Sequence, residues 1–212
     1  MRTRIKFCGM TRVEDAEAAV NLGADAIGLV LAQGSPRFIS LAQAAIIRRR
    51  LPESVQAVAL FRNADAQEVV QAVNAFAPDL LQFHGEESPE FCVEFGVPYW
   101  RAVPMAQPQD LLDWSRRFAT ANALLLDAHT KGERGGLGKT FNWSGIRRAS
   151  TIPLARKLVL AGGLTPDNVA VAVQTVRPYA VDVSSGIESS PGIKDQAKMR
   201  KFIEEVRRAD GH

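Results

Sequence analysis

KLVLAGGLTPDN, residues Lys157–Asn168, and YAVDVSSGIESSPGIKD, residues Tyr179–Asp195, are the stretches whose reading decides the fold. Each runs as a short apolar strand into a glycine-containing turn and then toward a helix start. Backbone N–H groups at such a turn lack intrahelical partners, and the helix dipole adds positive potential, so a turn of this kind is an anion site. One Gly-Gly pair would more simply read as a tight strand-to-helix turn. Two such turns, separated by one helix, point to a phosphate held between Gly162, Gly163, Ser184, Ser185 and Gly186.

The chain upstream supplies the context. Apolar segments at 2–8, 26–31, 55–61, 80–83, 99–103, 123–127, 157–161 and 180–184 read as strands, and their ends recur roughly every 20 to 33 residues. Helical patterns lie between them. Capping boxes are expected at Thr11–Glu14, Ser40–Gln43 and Asp65–Glu68; Ser88-Pro89, Thr165-Pro166 and Asp195 start further helices. A helix from Pro108 to about Phe118, a long polar loop over His129–Thr140 and a helix near Trp143–Ala149 complete the pattern. Alternating βα units imply parallel strands buried on both faces. Eight of them predict an α/β fold, a single-domain (β/α)8 TIM barrel over residues 1–212, with the phosphate site at the loops after strands 7 and 8. A doubly wound open sheet is the alternative topology.

Composition bounds the function. The 212 residues are 46% hydrophobic, enough for one sizeable core, and 26 basic against 23 acidic residues leave a net charge of +3. With few Trp and Tyr, no aromatic and basic residues interleave as they do on nucleic-acid surfaces, so no nucleic-acid partner is expected. Basic pairs such as Arg116-Arg117 and Arg207-Arg208 fall late in helices, where cations complement the dipole. Cys8 and Cys92 make no disulfide framework and have no zinc spacing, so no metal is expected. No signal-peptide core and no long apolar run is present, which predicts no membrane partner and a cytoplasmic location.

Strand parity selects the inward residues, since side chains alternate between the two faces. Lys6 and Cys8 share the face opposite Ile5 and Phe7. Gln82 shares a face with His84, Leu125 with Asp127, and Asp182 with Ser184. An unpaired buried charge is costly, so Lys6 and Asp182 are expected to pair. Each residue has a simpler reading: Cys8 as a small core residue, Asp127 as a turn cap, His84 as a pocket wall, Arg37 as a solvated side chain.

Taken together the chain resembles the phosphoribosylanthranilate isomerase family from end to end. The resemblance is carried by KFCGMT (Lys6–Thr11), SPRFIS (Ser35–Ser40), LFRN (Leu60–Asn63), LLQFHG (Leu80–Gly85), LLLD (Leu124–Asp127), GGLGKTFNW, LAGGLTPDNV and VDVSSGIESSPGIKD. Leu137, Asn142 and the Leu29–Ala32 segment depart from the family's usual residues. The resemblance implies an Amadori rearrangement of N-(5′-phosphoribosyl)anthranilate to 1-(2-carboxyphenylamino)-1-deoxyribulose 5-phosphate, the third step from chorismate in tryptophan biosynthesis. It implies Asp127 as general acid, Cys8 as general base, Arg37 as the receiver of the substrate carboxylate, and no cofactor. The partner is then a small phosphosugar, bound by a monomer or homodimer. Two other readings stand beside it: a histidine-pathway isomerase, which would be expected to carry two carboxylates in place of a thiol and a carboxylate, and a non-catalytic phosphosugar-binding barrel.

Overall fold

The computed structural model describes residues 2–104, 111–127 and 157–211. Eight parallel strands close into a barrel in chain order: β1 (Arg4–Cys8), β2 (Ala26–Val30), β3 (Gln56–Phe61), β4 (Leu80–Phe83), β5 (Tyr99–Pro104), β6 (Ala123–Asp127), β7 (Lys157–Leu160) and β8 (Ala180–Val183). The open sheet is thereby excluded, because β1 pairs with both β2 and β8. Around them lie α1 (Val13–Leu22), α2 (Leu41–Arg48), α3 (Ala66–Phe76), α4 (Pro89–Val93), α5 (Leu111–Arg117), α6 (Val169–Val176) and α7 (Gln196–Asp210). The expected loop over His129–Thr140, with Leu137, and the expected helix near Trp143, with Asn142, fall outside the described residues, as does the proposed start of the fifth helix at Pro108.

Parity divides the core into two. Ala26, Val58, Leu80, Trp100, Ala102, Ala123, Leu125, Val159 and Ala180 pack inside the barrel, while Ile5, Phe7, Ile27, Leu29, Leu81, Phe83 and Leu126 pack outward against the helices. Small residues on several inner positions leave room for the long Trp100 and Lys6 side chains. The Lys6 ammonium donates to Asp182 at 2.9 Å, with only 1% and 8% of the two side chains exposed, and these residues face each other across the β1–β8 seam.

Helix starts follow local chemistry where nothing competes for the cap. Asp65 and Glu68 form the full reciprocal box, and Ser40, Ser88 and Asp195 each accept a backbone N–H of their first turn. Two expected caps fail. Thr11 donates its hydroxyl to the Gly192 carbonyl, so α1 starts after Arg12 without a side-chain cap. Thr165 likewise does not cap α6, whose N-cap is Asn168. The Asn168 carboxamide instead accepts the Thr165 N–H at 2.8 Å and donates to the Gly163 carbonyl at 2.9 Å. At Thr11 a tertiary contact outbids the local cap; at Thr165 the hydroxyl accepts the Asp167 N–H at 3.3 Å within a local turn that Asn168 closes.

Because Lys6 and Asp182 satisfy each other in the barrel interior, removing one should cost far more than removing both. Lys6→Met is expected to lower unfolding free energy by ~3–5 kcal/mol, and Lys6→Met with Asp182→Leu to recover most of that loss. Guanidinium unfolding of the single and double variants measures it; a single variant as stable as the parent would show that Asp182 has another partner.

Candidate active site

The C-terminal ends of the strands open into a cavity of about 440 Å³. Cys8, Arg37, Gln82, His84, Asp127, Asp182, Gly162, Gly163, Ser184 and Ser185 are among the residues that line it. Every residue expected at the site except Gly186 reaches the lining.

Cys8 ends β1 and is 6% exposed. Burial pushes its thiol up from the ordinary cysteine range, while Lys6, through charge and hydrogen bonding, pulls it down; Asp182 raises it further and Lys194 lowers it. Lys6 itself is held above the usual lysine value: burial would lower it, but Asp182 and Cys8 favour the ammonium more strongly. Cys92 is a different case, the buried residue of α4, pushed up to about 12 by desolvation.

Asp127 ends β6 as the acidic counterpart, with β7 and β8 between it and β1. Its Oδ2 lies 3.1 Å from His84 Nε2, and His84 Nδ1 lies 3.2 Å from Gln82 Nε2. An amide N–H at Nδ1 makes that nitrogen the acceptor, which assigns the proton of a neutral imidazole to Nε2, facing Asp127. Gln82 Oε1 is buried without a partner among the described residues. His84 is therefore more than a wall. Its loop is fixed from behind by Arg101, which donates to the carbonyls of Phe83 and Gly85 and to Glu87, while Glu87 accepts the N–H groups of Asn63 and Gly85.

Arg37 arrives on the loop after β2. Its Nε and Nη2 donate side-on to Glu188 at 2.8 and 2.7 Å, a bidentate pair that raises the guanidinium's already high pKa. Glu188 and Lys194 lie on a small antiparallel hairpin after β8, here β9 (Glu188–Ser190) and β10 (Ile193–Lys194). Lys194 is buried, with Nζ 2.8 Å from Glu188 Oε1 and 3.3 Å from the Ser184 carbonyl. Burial lowers the Lys194 pKa against the pull of Glu188. Nothing in local sequence separates a lysine folded back under a hairpin from one extended into water, and Glu188 was missed for the same reason.

Gly162 and Gly163 both take positive φ, 79° and 65°, a conformation that side-chain-bearing residues rarely adopt. Asn168 locks that turn through Gly163 and Thr165. Gly186 serves by close approach: a Cβ there would collide with the Leu164 carbonyl oxygen, so the two glycine turns pack directly against each other. Gly186 thus joins the loops and does not line the cavity. The Ser184 hydroxyl donates to the Cys8 carbonyl at 3.0 Å and is already committed. No group of three or more His, Cys, Asp or Glu side chains among the described residues is placed to hold a metal ion, and no helix among them is long and apolar enough to cross a membrane.

The chain is similar in sequence and fold to known proteins. Residues 5–205 match the family model described as N-(5'phosphoribosyl)anthranilate (PRA) isomerase. The N-(5'-phosphoribosyl)anthranilate isomerase of Leptothrix cholodnii is 53% identical over 209 residues, covering 99% of this chain and 93% of that protein. The crystal structure of phosphoribosyl anthranilate isomerase from Thermotoga maritima superposes with a TM-score of 0.87 at 37% identity, covering 97% of this chain and 98% of that one. A further solved phosphoribosyl anthranilate isomerase, in complex with reduced 1-(o-carboxyphenylamino)-1-deoxyribulose 5-phosphate, gives a TM-score of 0.84 at 35% identity, covering 97% and 98%.

The opposing influences on Cys8 make a direct prediction. A raised thiol pKa means less thiolate at a given pH, so iodoacetamide should modify Cys8 of the unliganded protein more slowly at pH 7 than it modifies free cysteine. The rate should keep climbing beyond pH 9, and Cys92 should stay unmodified in the folded state. A rate for Cys8 that levels off below pH 8, followed by mass spectrometry, would mean that Lys6 outweighs burial.

Proposed function

The chain belongs to the N-(5'-phosphoribosyl)anthranilate isomerase family, and on that premise we propose that Cys8 and Asp127 carry the two proton transfers of its reaction. The protein is an aldose–ketose isomerase of tryptophan biosynthesis, rearranging phosphoribosylanthranilate to the 1-deoxyribulose phosphate. The observation that carries the role assignment is a thiol, Cys8, and a carboxyl, Asp127, on separate strand ends of one cavity whose other carboxyl, Asp182, is paired with Lys6.

In this reading Asp127 protonates the furanose ring oxygen, the C1′–O bond breaks, and the anilino nitrogen lone pair forms the Schiff base. The carboxylate left behind lies 3.1 Å from His84 Nε2, within hydrogen-bond reach of that ring. The Cys8 thiolate then takes the C2′ proton, giving an enolamine that tautomerises to the ketone. Lys6 is the cation nearest in the chain to that thiolate, and with Asp182 bound to it the local charge balance is close to neutral before the base ionises. Acid and base are separate groups, so each can be tuned without the other.

Both anionic groups of the substrate find candidate partners in the cavity lining. The 5′-phosphate is assigned to the turns at Gly162-Gly163 and Ser184-Ser185, held by backbone N–H groups and helix ends more than by a salt bridge, with Gly186 seating one turn on the other. The anthranilate carboxylate is assigned to Arg37, whose side-on pair with Glu188 leaves Nη1 and part of Nη2 for a second carboxylate. The small-molecule partner is thus a phosphosugar bearing an aromatic acid.

Loss of phosphoribosylanthranilate fluorescence tests the catalytic roles. Cys8→Ser and Asp127→Asn should each lower kcat by a factor of at least ~10², the usual weight of a general acid or base. Near-parental kcat in a folded variant removes that residue from the role.

The phosphate assignment has its own test. Inorganic phosphate should inhibit competitively, and Gly163→Val should raise KM by roughly tenfold or more, since its φ of 65° and the approach of the anion both exclude a branched side chain. Wild-type KM in that variant would place the phosphate elsewhere.

A further inference from the structure

We propose that Glu188 is the positioning residue that gives the site its selectivity for a carboxylate-bearing aromatic amine, by holding Arg37 side-on and turning its other edge to the cavity. The inference rests on the assignment of Arg37 to the anthranilate carboxylate. A guanidinium has five N–H donors in one plane, in two edges that each fit a carboxylate. Glu188 occupies the Nε/Nη2 edge at 2.8 and 2.7 Å, which fixes the plane and leaves the Nη1/Nη2 edge for a ligand. An arginine without such a holder would have to order its long side chain at the moment of binding, at a cost in rotamer entropy.

A carboxylate beside an anion-binding arginine would ordinarily cancel the attraction. Here a second cation offsets it. Lys194, with 0% of its side chain exposed, donates to Glu188 Oε1 at 2.8 Å, and the Gly192 N–H reaches the same oxygen at 3.2 Å. Burial alone would favour the protonated acid, but Arg37 and Lys194 hold Glu188 below the ordinary glutamate range. Two cations against one anion leave a single positive charge, and Arg37 is the member that faces the cavity. The hairpin carrying both Glu188 and Lys194 is anchored independently: the Lys194 N–H donates to Asp15 at 3.1 Å and Lys198 Nζ to the Glu188 carbonyl at 2.7 Å. Its register therefore does not depend on the pair with Arg37.

The experiment compares kcat/KM for phosphoribosylanthranilate with that for N-(5′-phosphoribosyl)aniline, which lacks the carboxylate, in the parent, Arg37→Ala, Glu188→Gln and the double variant. A glutamine presents an NH₂ where Nη2 needs an acceptor, so Glu188→Gln should cut the preference for the carboxylate substrate about tenfold, through KM more than kcat. In the Arg37→Ala background it should cut it no further. An unaltered preference in Arg37→Ala overturns the carboxylate assignment itself. A preference lost in Arg37→Ala but kept in Glu188→Gln, or additive losses in the double variant, overturns the role of Glu188 alone. Should Glu188→Gln not fold, Lys194→Met removes the compensating charge and should lower the same ratio; an unchanged ratio there rejects the charge argument.

Discussion

The ion pair between Lys6 and Asp182 is the contact on which the rest of the molecule turns. It joins the first strand to the last at directly opposed positions, so the barrel closes through it. It also solves a packing problem, because the inner layers below it are Ala, Val, Leu and Trp and offer a lone charge nothing. A buried pair of this kind is weak support for stability in itself, since desolvation offsets most of the Coulomb gain. Its value lies in register. A one-residue slip along β1 would point Ile5 and Phe7 into the barrel and Cys8 away from the cavity.

The same pair sets the electrical environment of the thiol. Cys8 stands two residues beyond Lys6 on the same face, so the base feels burial, one cation and that cation's anion together. Asp127 lives under different rules: its neighbour is the His84 imidazole, held by Gln82 and by a loop that Arg101 clamps. The two groups proposed for proton transfer thus sit in unlike surroundings within one cavity.

At the mouth, the loops after the neighbouring strands β7, β8, β1 and β2 are tied to one another by polar contacts and close backbone approach. The loop after β2 reaches the hairpin after β8 through Arg37 and Glu188, and the turn after β1 reaches it through Thr11 and Gly192. Gly186 brings the turns after β7 and β8 into backbone contact. Directional bonds of this sort hold side chains at defined angles, which an apolar contact of equal area would not.

By itself the sequence determined the strands, nearly to the residue at Leu80–Phe83 and Ala123–Asp127, the caps at Asp65, Ser88 and Asp195, and the inward parity of Lys6, Cys8 and Asp182. These follow from local rules, the period of a strand and the unpaired N–H groups of a helix start, which act between neighbours in the chain. The candidate residues Cys8, Arg37, His84, Asp127, Gly162, Gly163, Ser184 and Ser185 were legible for the same reason, as the strand ends and turns that a barrel brings to one face. Only the tertiary structure decided that Thr11 would not cap, that Ser184 would spend its hydroxyl on Cys8, that Gly186 would serve packing, and that Lys194 and Glu188 would be buried beside Arg37. Those outcomes depend on partners far away in sequence, 151 residues away for Arg37 and Glu188 and 181 for Thr11 and Gly192, and a polar side chain with several possible partners is assigned only when the fold brings one of them within reach.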